Sequence, residues 1–441
     1  MKANEKNERC SKLKIGLMHF RVGETDGVSL EMEKWKKVLE KMDHQVYFIA
    51  GDLNGLDGFE IPSISMKNKR NEFIHKNAFE ELDITEEEFQ TELLNYTEEI
   101  LNEMMQLPKF DTIIVNNIMS LGYNLAAAMA LTEYCKLTKT KLITHNHDFY
   151  WERERYSNPT CDFVKQVLES YFPPKIENSK HITINKLAQN ELKKRKGIDS
   201  VVIPNVFEFN QKEWTIDDYN SDLRQRLGIR NDDIVVLHAT RIVERKAIEI
   251  ALDFVEEFSK LFQDKSKIHL VLSGFPEKES VEYYNRILSK ASKMPYKVHF
   301  IHNMIKPERK IENKEKYYSF WDAYAISNVV TYTSILEGWG NQLIEAVFAK
   351  KPLVIIEYPV YKSDIKELGF EFISLGDKYK LNDDTKFYEI DKDQLFAAAH
   401  QLYELLHNKD ELNRIINKNF EIGKANLSLE SLAKYIESII F

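Results

Sequence analysis

Short, continuous apolar runs rich in Val, Ile and Leu recur along this chain, and segments whose apolar residues return every three or four positions separate them. One set of runs lies at 13–18, 46–49, 112–115, 141–144, 181–184 and 201–203. A second lies at 234–237, 268–272, 298–301, 329–332 and 353–356. A strand with one wet face alternates apolar and polar residues, and these runs do not, so they predict parallel strands buried on both faces. Strands alternating with helices in two sets predict an α/β protein of two doubly wound, Rossmann-like domains, with ligands at the carboxyl ends of the strands.

The pattern breaks at Ile203-Pro204-Asn205-Val206 and a polar stretch over 210–220. The boundaries expected are therefore 1–205 for a first domain, 206–424 for a second and 425–441 for a closing helix. Leu429, Leu432, Ile436 and Ile439 give that helix one apolar face. Residues 72–106 read as an acidic insert, a solvated amphipathic helix pair with Phe89, Leu93, Leu94, Ile100 and Leu101 among its apolar positions.

Composition narrows the classes. At 441 residues two domains are expected, and 43% hydrophobic with 30% charged residues is ordinary for a soluble globular protein. A formal charge of −9 argues against nucleic acid as partner but leaves room for a small phosphate-bearing ligand. Cys10, Cys135 and Cys161 are scattered and odd in number, neither a disulfide framework nor a metal cluster, which suits a reducing compartment. The polar first ten residues carry no secretory signal, and no apolar stretch is long enough to span a bilayer. A cytoplasmic protein is expected, with peripheral membrane association and oligomeric state left open. The basic run Lys193-Lys194-Arg195-Lys196 reads as a solvated helix end.

The chemistry concentrates at Glu337-Gly338-Trp339-Gly340-Asn341-Gln342-Leu343-Ile344-Glu345, between the run at 329–332 and an apolar helical segment stopped near Pro352. Two glycines there make a tight turn and let a ligand approach the backbone. A helix start favours a polyanion, and the two carboxylates could reach two hydroxyl groups of one ligand. A glycine-containing connection with two surface glutamates explains the same residues without a ligand. In the second domain's first strand-to-helix turn stand Arg241 and Lys246, which suit a pyrophosphate, Arg as a fork and Lys as a point charge. Diphosphate, sugar and ribose contacts together fit a nucleotide sugar.

Arg241 with Lys246, the Ile203-Pro204-Asn205 boundary and the two glutamates at their seven-residue separation resemble the retaining GT-B glycosyltransferases of family 4, over most of 13–440. The resemblance implies a GT-B fold, two Rossmann-like domains facing each other across a cleft, with the closing helix packed back on the first domain. It implies that Arg241 and Lys246 hold the donor diphosphate and stabilise its departing charge. Glu337 then contacts the transferred sugar and Glu345 the ribose, while Gly338, Trp339, Gly340, Asn341 and Gln342 complete the donor turn.

The first domain offers two further loops. Phe20-Arg21-Val22-Gly23-Glu24-Thr25-Asp26-Gly27-Val28 precedes a helix; a loop with Gly23 and Gly27 there could approach the donor phosphates or the acceptor, and Gly27 is its donor candidate. It lacks the Gly-x-Gly-x-x-Gly fingerprint, so a dinucleotide is not indicated. The segment 144–156 places His145, His147, Asp148, Trp151, Arg153 and Arg155 after a strand, suiting a sugar ring and an anionic acceptor. In the family a histidine near this point contacts donor sugar or acceptor. His147 is the first candidate for a catalytic role and His145 the second. A metal held by His145, His147 and Asp148 is the alternative there, without a separate ligand set. Asp391-Lys392-Asp393 precedes a helical run, where capping is expected rather than a metal site. Ser273-Gly274-Phe275 and His302-Asn303-Met304 follow strands near the nucleotide without naming its base.

The reading is a retaining hexosyltransferase acting from a nucleotide-diphosphate sugar on a hydroxyl of a small polar or anionic acceptor. No cofactor and no metal is expected. The alternatives are a nucleotide-sugar epimerase or phosphorylase of the same fold, or a non-catalytic sugar-nucleotide-binding protein.

Overall fold

The apolar runs become strands. The computed structural model describes residues 12–24 and 26–440, so Cys10, Thr25 and Phe441 lie outside the described residues. Two compact units result, one from the described residues up to Asn205 together with those from Leu429, the other Val206–Ser428.

The first unit carries a parallel sheet of β1 (Lys14–Arg21), β2 (Gln45–Asp52), β3 (Gly58–Glu60), β4 (Thr112–Asn116), β5 (Lys141–Asn146), β6 (Ser179–Thr183) and β7 (Val201–Val202), in the order β3-β2-β1-β4-β5-β6-β7. The register sets Leu17 against Phe48 and Ile114, and Ile114 against Ile143. Strand β1 runs three residues past the expected end, so Phe20 and Arg21 belong to the strand and not to the loop. The short edge strand β3 escaped the sequence pattern. Gly58 there lies so close to the Phe48 carbonyl that a Cβ would collide with it.

The insert forms helices Lys69–Phe79 and Glu86–Met104, the second opened by a Thr85/Glu88 capping box. It is not a solvated pair. Phe89, Leu93, Tyr96, Ile100 and Met104 are fully buried and pack toward helix Leu125–Thr138, while Leu94 points out. Nor is the basic run wholly solvated. Lys193 and Arg195 pair with Asp199 and Glu191 at the surface, but Lys196 donates to the carbonyls of Leu168 and Glu169 at 2.8 and 2.6 Å. Burial pushes its ammonium down to about 8.

The second unit holds β8 (Ile234–His238), β9 (Ile268–Leu272), β10 (Lys297–Phe300), β11 (Ile305–Lys306), β12 (Lys310–Glu312), β13 (Glu315–Ser319), β14 (Val329–Tyr332), β15 (Leu353–Ile355) and β16 (Ile373–Ser374). Its main sheet is parallel, in the order β10-β9-β8-β14-β15-β16. Strands β11, β13 and β12 form a side sheet whose hairpin turns at Asn313 and Lys314, both with positive φ as a tight hairpin requires. Its polar sequence hid it from a search for apolar runs.

Helix Lys409–Asn426 runs through the expected start of the closing helix, which instead spans Leu429–Ile440 and belongs to the first unit. Its last carbonyls, which no helical N–H can reach, take the ammonium groups of Lys141 (to Ile440, 2.7 Å) and Lys180 (to Ile439, 2.7 Å). Among the described residues no helix is long and apolar enough to cross a membrane.

Candidate functional site

In the second unit, β8 and β14 are neighbours, and the loops leaving their carboxyl ends are laced together. The Thr333 hydroxyl donates to the carbonyls of Lys246 and Ala247 (3.1 and 3.0 Å), and the Ile335 N–H to the Arg245 carbonyl (2.9 Å). Lys246 closes a 3-10 turn, and Ala247 sits in the left-handed region at φ 43°. This geometry delivers Lys246 Nζ to one oxygen of Glu337. Arg245 Nη1 donates to the other at 2.7 Å and to the Leu336 carbonyl at 3.0 Å. The Lys246 and Glu337 side chains are 4% and 9% exposed.

Two cations thus meet one buried carboxylate. Burial pushes the Glu337 carboxyl up, but Lys246 and Arg245 outweigh it and hold it at about 2. Burial lowers the Lys246 ammonium against the pull of Glu337. Arg241 stands apart at the surface, paired with Glu277. The Ser273-Gly274-Phe275 turn lies beside it, Gly274 against the Thr240 carbonyl, and the Phe275 carbonyl accepts the Ile242 N–H at 2.9 Å.

The turn after Glu337 needs its second glycine. Gly340 has φ 139°, and a Cβ there would strike the Tyr358 hydroxyl, which donates to the Trp339 carbonyl at 2.7 Å. Trp339 is buried and Gly338 exposed. Helix Asn341–Phe348 thus opens on a residue with no side chain to cap it, the arrangement that favours an anion. Asn341 and Gln342 are half-buried in its first turn, and Glu345 accepts a hydrogen bond from the Tyr324 hydroxyl at 2.9 Å. The unit therefore brings Lys246, Glu337 and the glycine turn together. Arg245, which the sequence reading passed over, is the second partner of Glu337.

The first unit builds a different cluster where β1, β4 and β5 end. His19 Nδ1 bonds the Asn116 carbonyl at 2.8 Å, and the Asn116 side-chain oxygen meets His147 Nε2 at 3.1 Å. His145 and His147 face each other with ring centres 4.1 Å apart, and His145 also packs on Trp35. Asn117, with φ 58°, accepts the N–H groups of His147 (2.8 Å) and Asp148 (3.3 Å) and so shapes this loop. Burial pushes His19 down to about 4, His145 to about 3 and His147 well below the usual histidine value. These rings are neutral at neutral pH and not proton carriers; His19 and His147 act as hydrogen-bonders, and His145 is held by ring packing.

The expected acceptor residues do not converge. Asp148 and Arg153 pair with each other at 2.7 Å at the surface. Trp151 stacks on Phe149 (4.4 Å, 6°) with Arg195 5.3 Å from its ring centre, so packing occupies it. Arg155 lies over Tyr156 at 4.6 Å. Gly27 also departs from expectation. It is the first residue of helix Gly27–Lys41, and the Asp26 carboxylate already accepts from Val28 N–H (3.0 Å), Ser29 N–H (3.2 Å) and the Ser29 hydroxyl (2.7 Å). A carboxylate stands where the phosphate was expected. Among the described residues no three His, Cys, Asp or Glu side chains are grouped to hold a metal ion. Asp391 accepts the Asp393 N–H at 2.8 Å and caps helix Lys392–His407.

A family model described as Glycosyl transferases group 1 matches residues 220–421. The chain is 44% identical over 428 residues to the mannosylglucosylglycerate synthase of Petrotoga mobilis, covering 93% of this chain and 97% of that protein. The chain belongs to the group 1 glycosyltransferases. Another member of the group, the mannosylglucosylglycerate synthase of Thermotoga maritima, is 37% identical over 438 residues, covering 95% of this chain and 98% of that protein. Solved structures of the same fold include a Rickettsia africae glycosyltransferase (TM-score 0.63, 14% identity, 98% of each chain). Anabaena HepE in complex with UDP and glucose also matches (TM-score 0.57, 15% identity, 97% of this chain and 99% of that one). This group 1 glycosyltransferase thus has the GT-B fold, and the matched stretch contains Arg241, Arg245, Lys246, Glu337 and Glu345.

Proposed function

We propose that this glycosyltransferase moves a hexose, with retention at the anomeric carbon and without a metal, from a nucleotide-diphosphate sugar to a hydroxyl of a small anionic acceptor. The names of the two relatives make a mannosyl donor and a glucosylglycerate acceptor the first pair to try. The observation that carries the reading is Glu337 held between the two cations Lys246 and Arg245 beside a glycine-opened helix.

A donor diphosphate offers both cations further oxygens. Lys246 and Arg245 turn to the phosphate oxygens, Arg241 joins them from the surface, and Glu337 accepts a hydroxyl of the sugar. Glu345, oriented by Tyr324, takes the ribose hydroxyls. As the bond from the anomeric carbon to the diphosphate oxygen breaks, the cations stabilise the charge that develops there. The acceptor oxygen bonds to the same face of the carbon, and its proton passes to the departing diphosphate oxygen.

The test offers mannosyl and glucosyl nucleotides with glucosylglycerate, glycerate and free glucose, with EDTA present throughout. Transfer to one acceptor, with the donor's anomeric configuration kept in the product by NMR, is expected. The Glu337→Gln variant should bind the nucleotide diphosphate normally and lose about 10²–10³ in turnover, the range for removing one electrostatic contact to a transition state. Full turnover in that variant would overturn the site, inversion would overturn the mechanism, and a requirement for added metal would overturn the role given to the cations.

A further inference from the structure

Beside the Lys246–Glu337 pair lies Tyr332, the last residue of β14, a residue absent from the donor contacts described so far. It is 1% exposed, and its hydroxyl, although close enough to act on the Glu337 carboxylate, makes no hydrogen bond of ordinary geometry. Lys246 Nζ stands 5.4 Å from the centre of its ring. The ring meets Tyr358 edge-on with centres 5.8 Å apart, but the Tyr358 hydroxyl is already bonded to the Trp339 carbonyl. A buried hydroxyl without a partner is a standing cost to the fold unless another state of the site uses it.

We propose that Tyr332 is a positioning residue for Glu337: its ring seats the Lys246 ammonium in the resting site, and its hydroxyl donates to the Glu337 carboxylate once a donor diphosphate draws Lys246 and Arg245 away. The proposal rests on the reading of Lys246 and Glu337 as the donor site.

The groups acting on Glu337 are few: the cations Lys246 and Arg245, the imidazole of His238, the phenols of Tyr332 and Tyr358, and the Ser334 hydroxyl. His238 is buried, its two nitrogens facing the hydroxyls of Thr331 and Thr240, and burial pushes it down to about 3, so it is neutral. Burial, reinforced by the charge of Glu337, raises the Tyr332 phenol well above its usual value, so it keeps its proton and stays a donor. When the two cations turn to phosphate, Glu337 loses the partners that hold it ionised. A buried carboxylate in that position takes up a proton, and a protonated Glu337 would donate where the sugar hydroxyl needs an acceptor. A hydroxyl that donates to it prevents that. Ser334, also buried without an ordinary partner, is the competing donor.

The experiment compares Tyr332→Phe, Tyr332→Leu and Ser334→Ala in the full chain, with Glu337→Gln in parallel. Removing only the hydroxyl should leave the thermal midpoint equal or higher and the donor KM unchanged. It should lower kcat about tenfold and move the acid limb of the kcat–pH profile up by about one unit, the size expected for a lost hydrogen bond to a carboxylate. Tyr332→Leu, which also removes the ring under Lys246, should raise the donor KM as well. An unmoved limb with normal kcat in Tyr332→Phe overturns the proposal, as does a limb moved by Ser334→Ala and not by Tyr332→Phe. A lowered midpoint with an unmoved limb assigns Tyr332 a purely structural part and also overturns it. If Glu337→Gln turns over at full rate, the donor site itself is wrong; if it is inactive while Tyr332→Phe is normal, only the role of Tyr332 falls.

Discussion

Each unit gathers polar side chains where its central parallel strands end, and the two gatherings solve burial in opposite ways. In the first unit, His19, His145, His147 and Asn116 are buried, and burial outweighs even the pull of Asp26 on His19, so the imidazoles give up their protons to stay there. In the second, Lys246 and Glu337 stay charged because Arg245 makes the cluster a hydrogen-bonded triad. A neutral cluster can orient a sugar but cannot stabilise a leaving phosphate. A cluster that holds two cations can do the second, and it depends on every member being present.

The largest break in this contrast is Lys246→Met. Turnover should fall about 10²–10³, as for loss of one preorganised donor to developing charge. Urea unfolding should show about 3 kcal/mol less stability, because Glu337 then lies buried with one cation instead of two. Adding Glu337→Leu should restore much of the stability and none of the turnover. Stability unchanged by the first substitution would mean that water reaches Glu337 freely.

Acid should separate the clusters next. His19, His145, His147 and His181 of the first unit have folded pKa values lowered by burial, so between pH 6.5 and about 4 the unfolded chain binds protons that the folded chain refuses. Stability should therefore decline as pH drops below 6.5, by about 1.4 kcal/mol per unit for each such group. His238 adds a share from the second unit. Glu337 has the carboxylate sign: its contribution is intact above about 4.5 and is lost only as pH falls toward its folded value of about 2. Thermal midpoints from pH 8 to 4 read this directly, and a midpoint flat down to pH 4.5 would show that the histidines are charged in the folded state.

The smallest effect is Asn116→Ala, which strips His147 Nε2 of its partner. It should cost about 1–2 kcal/mol, the penalty for one unsatisfied buried group, and lower turnover less than Lys246→Met does. An equal loss of turnover would place the first unit's cluster in the chemistry and not only in orientation.

What the sequence revealed follows from what is local. Strands such as β8 and β14 were legible because a strand covered on both faces must be apolar throughout, and the Gly340 turn because its φ excludes other residues. Arg245 was missed because its partner is 92 residues away and no spacing announces the pairing. Tyr332 looked like any strand residue, since its meaning lies in the ammonium beside its ring. The insert looked solvated because acidic residues cover its outer face, while burial of Tyr96 and Ile100 depends on a helix elsewhere in the unit. Helix capping misled the reading of Gly27, as Asp26 uses the N–H groups that a phosphate would have taken.

The path of the chain through the units also sets an order of events on the ribosome. Val206–Ser428 is one uninterrupted stretch, whereas the first unit lacks helix Leu429–Ile440, and the seats it provides for Lys141 and Lys180, until synthesis has passed through the whole of the second. The unit begun first is thus the one finished last. A nascent chain halted before Leu429 holds every residue of the second unit while Lys141 of β5 and Lys180 of β6 still wait for the carbonyls of their closing helix.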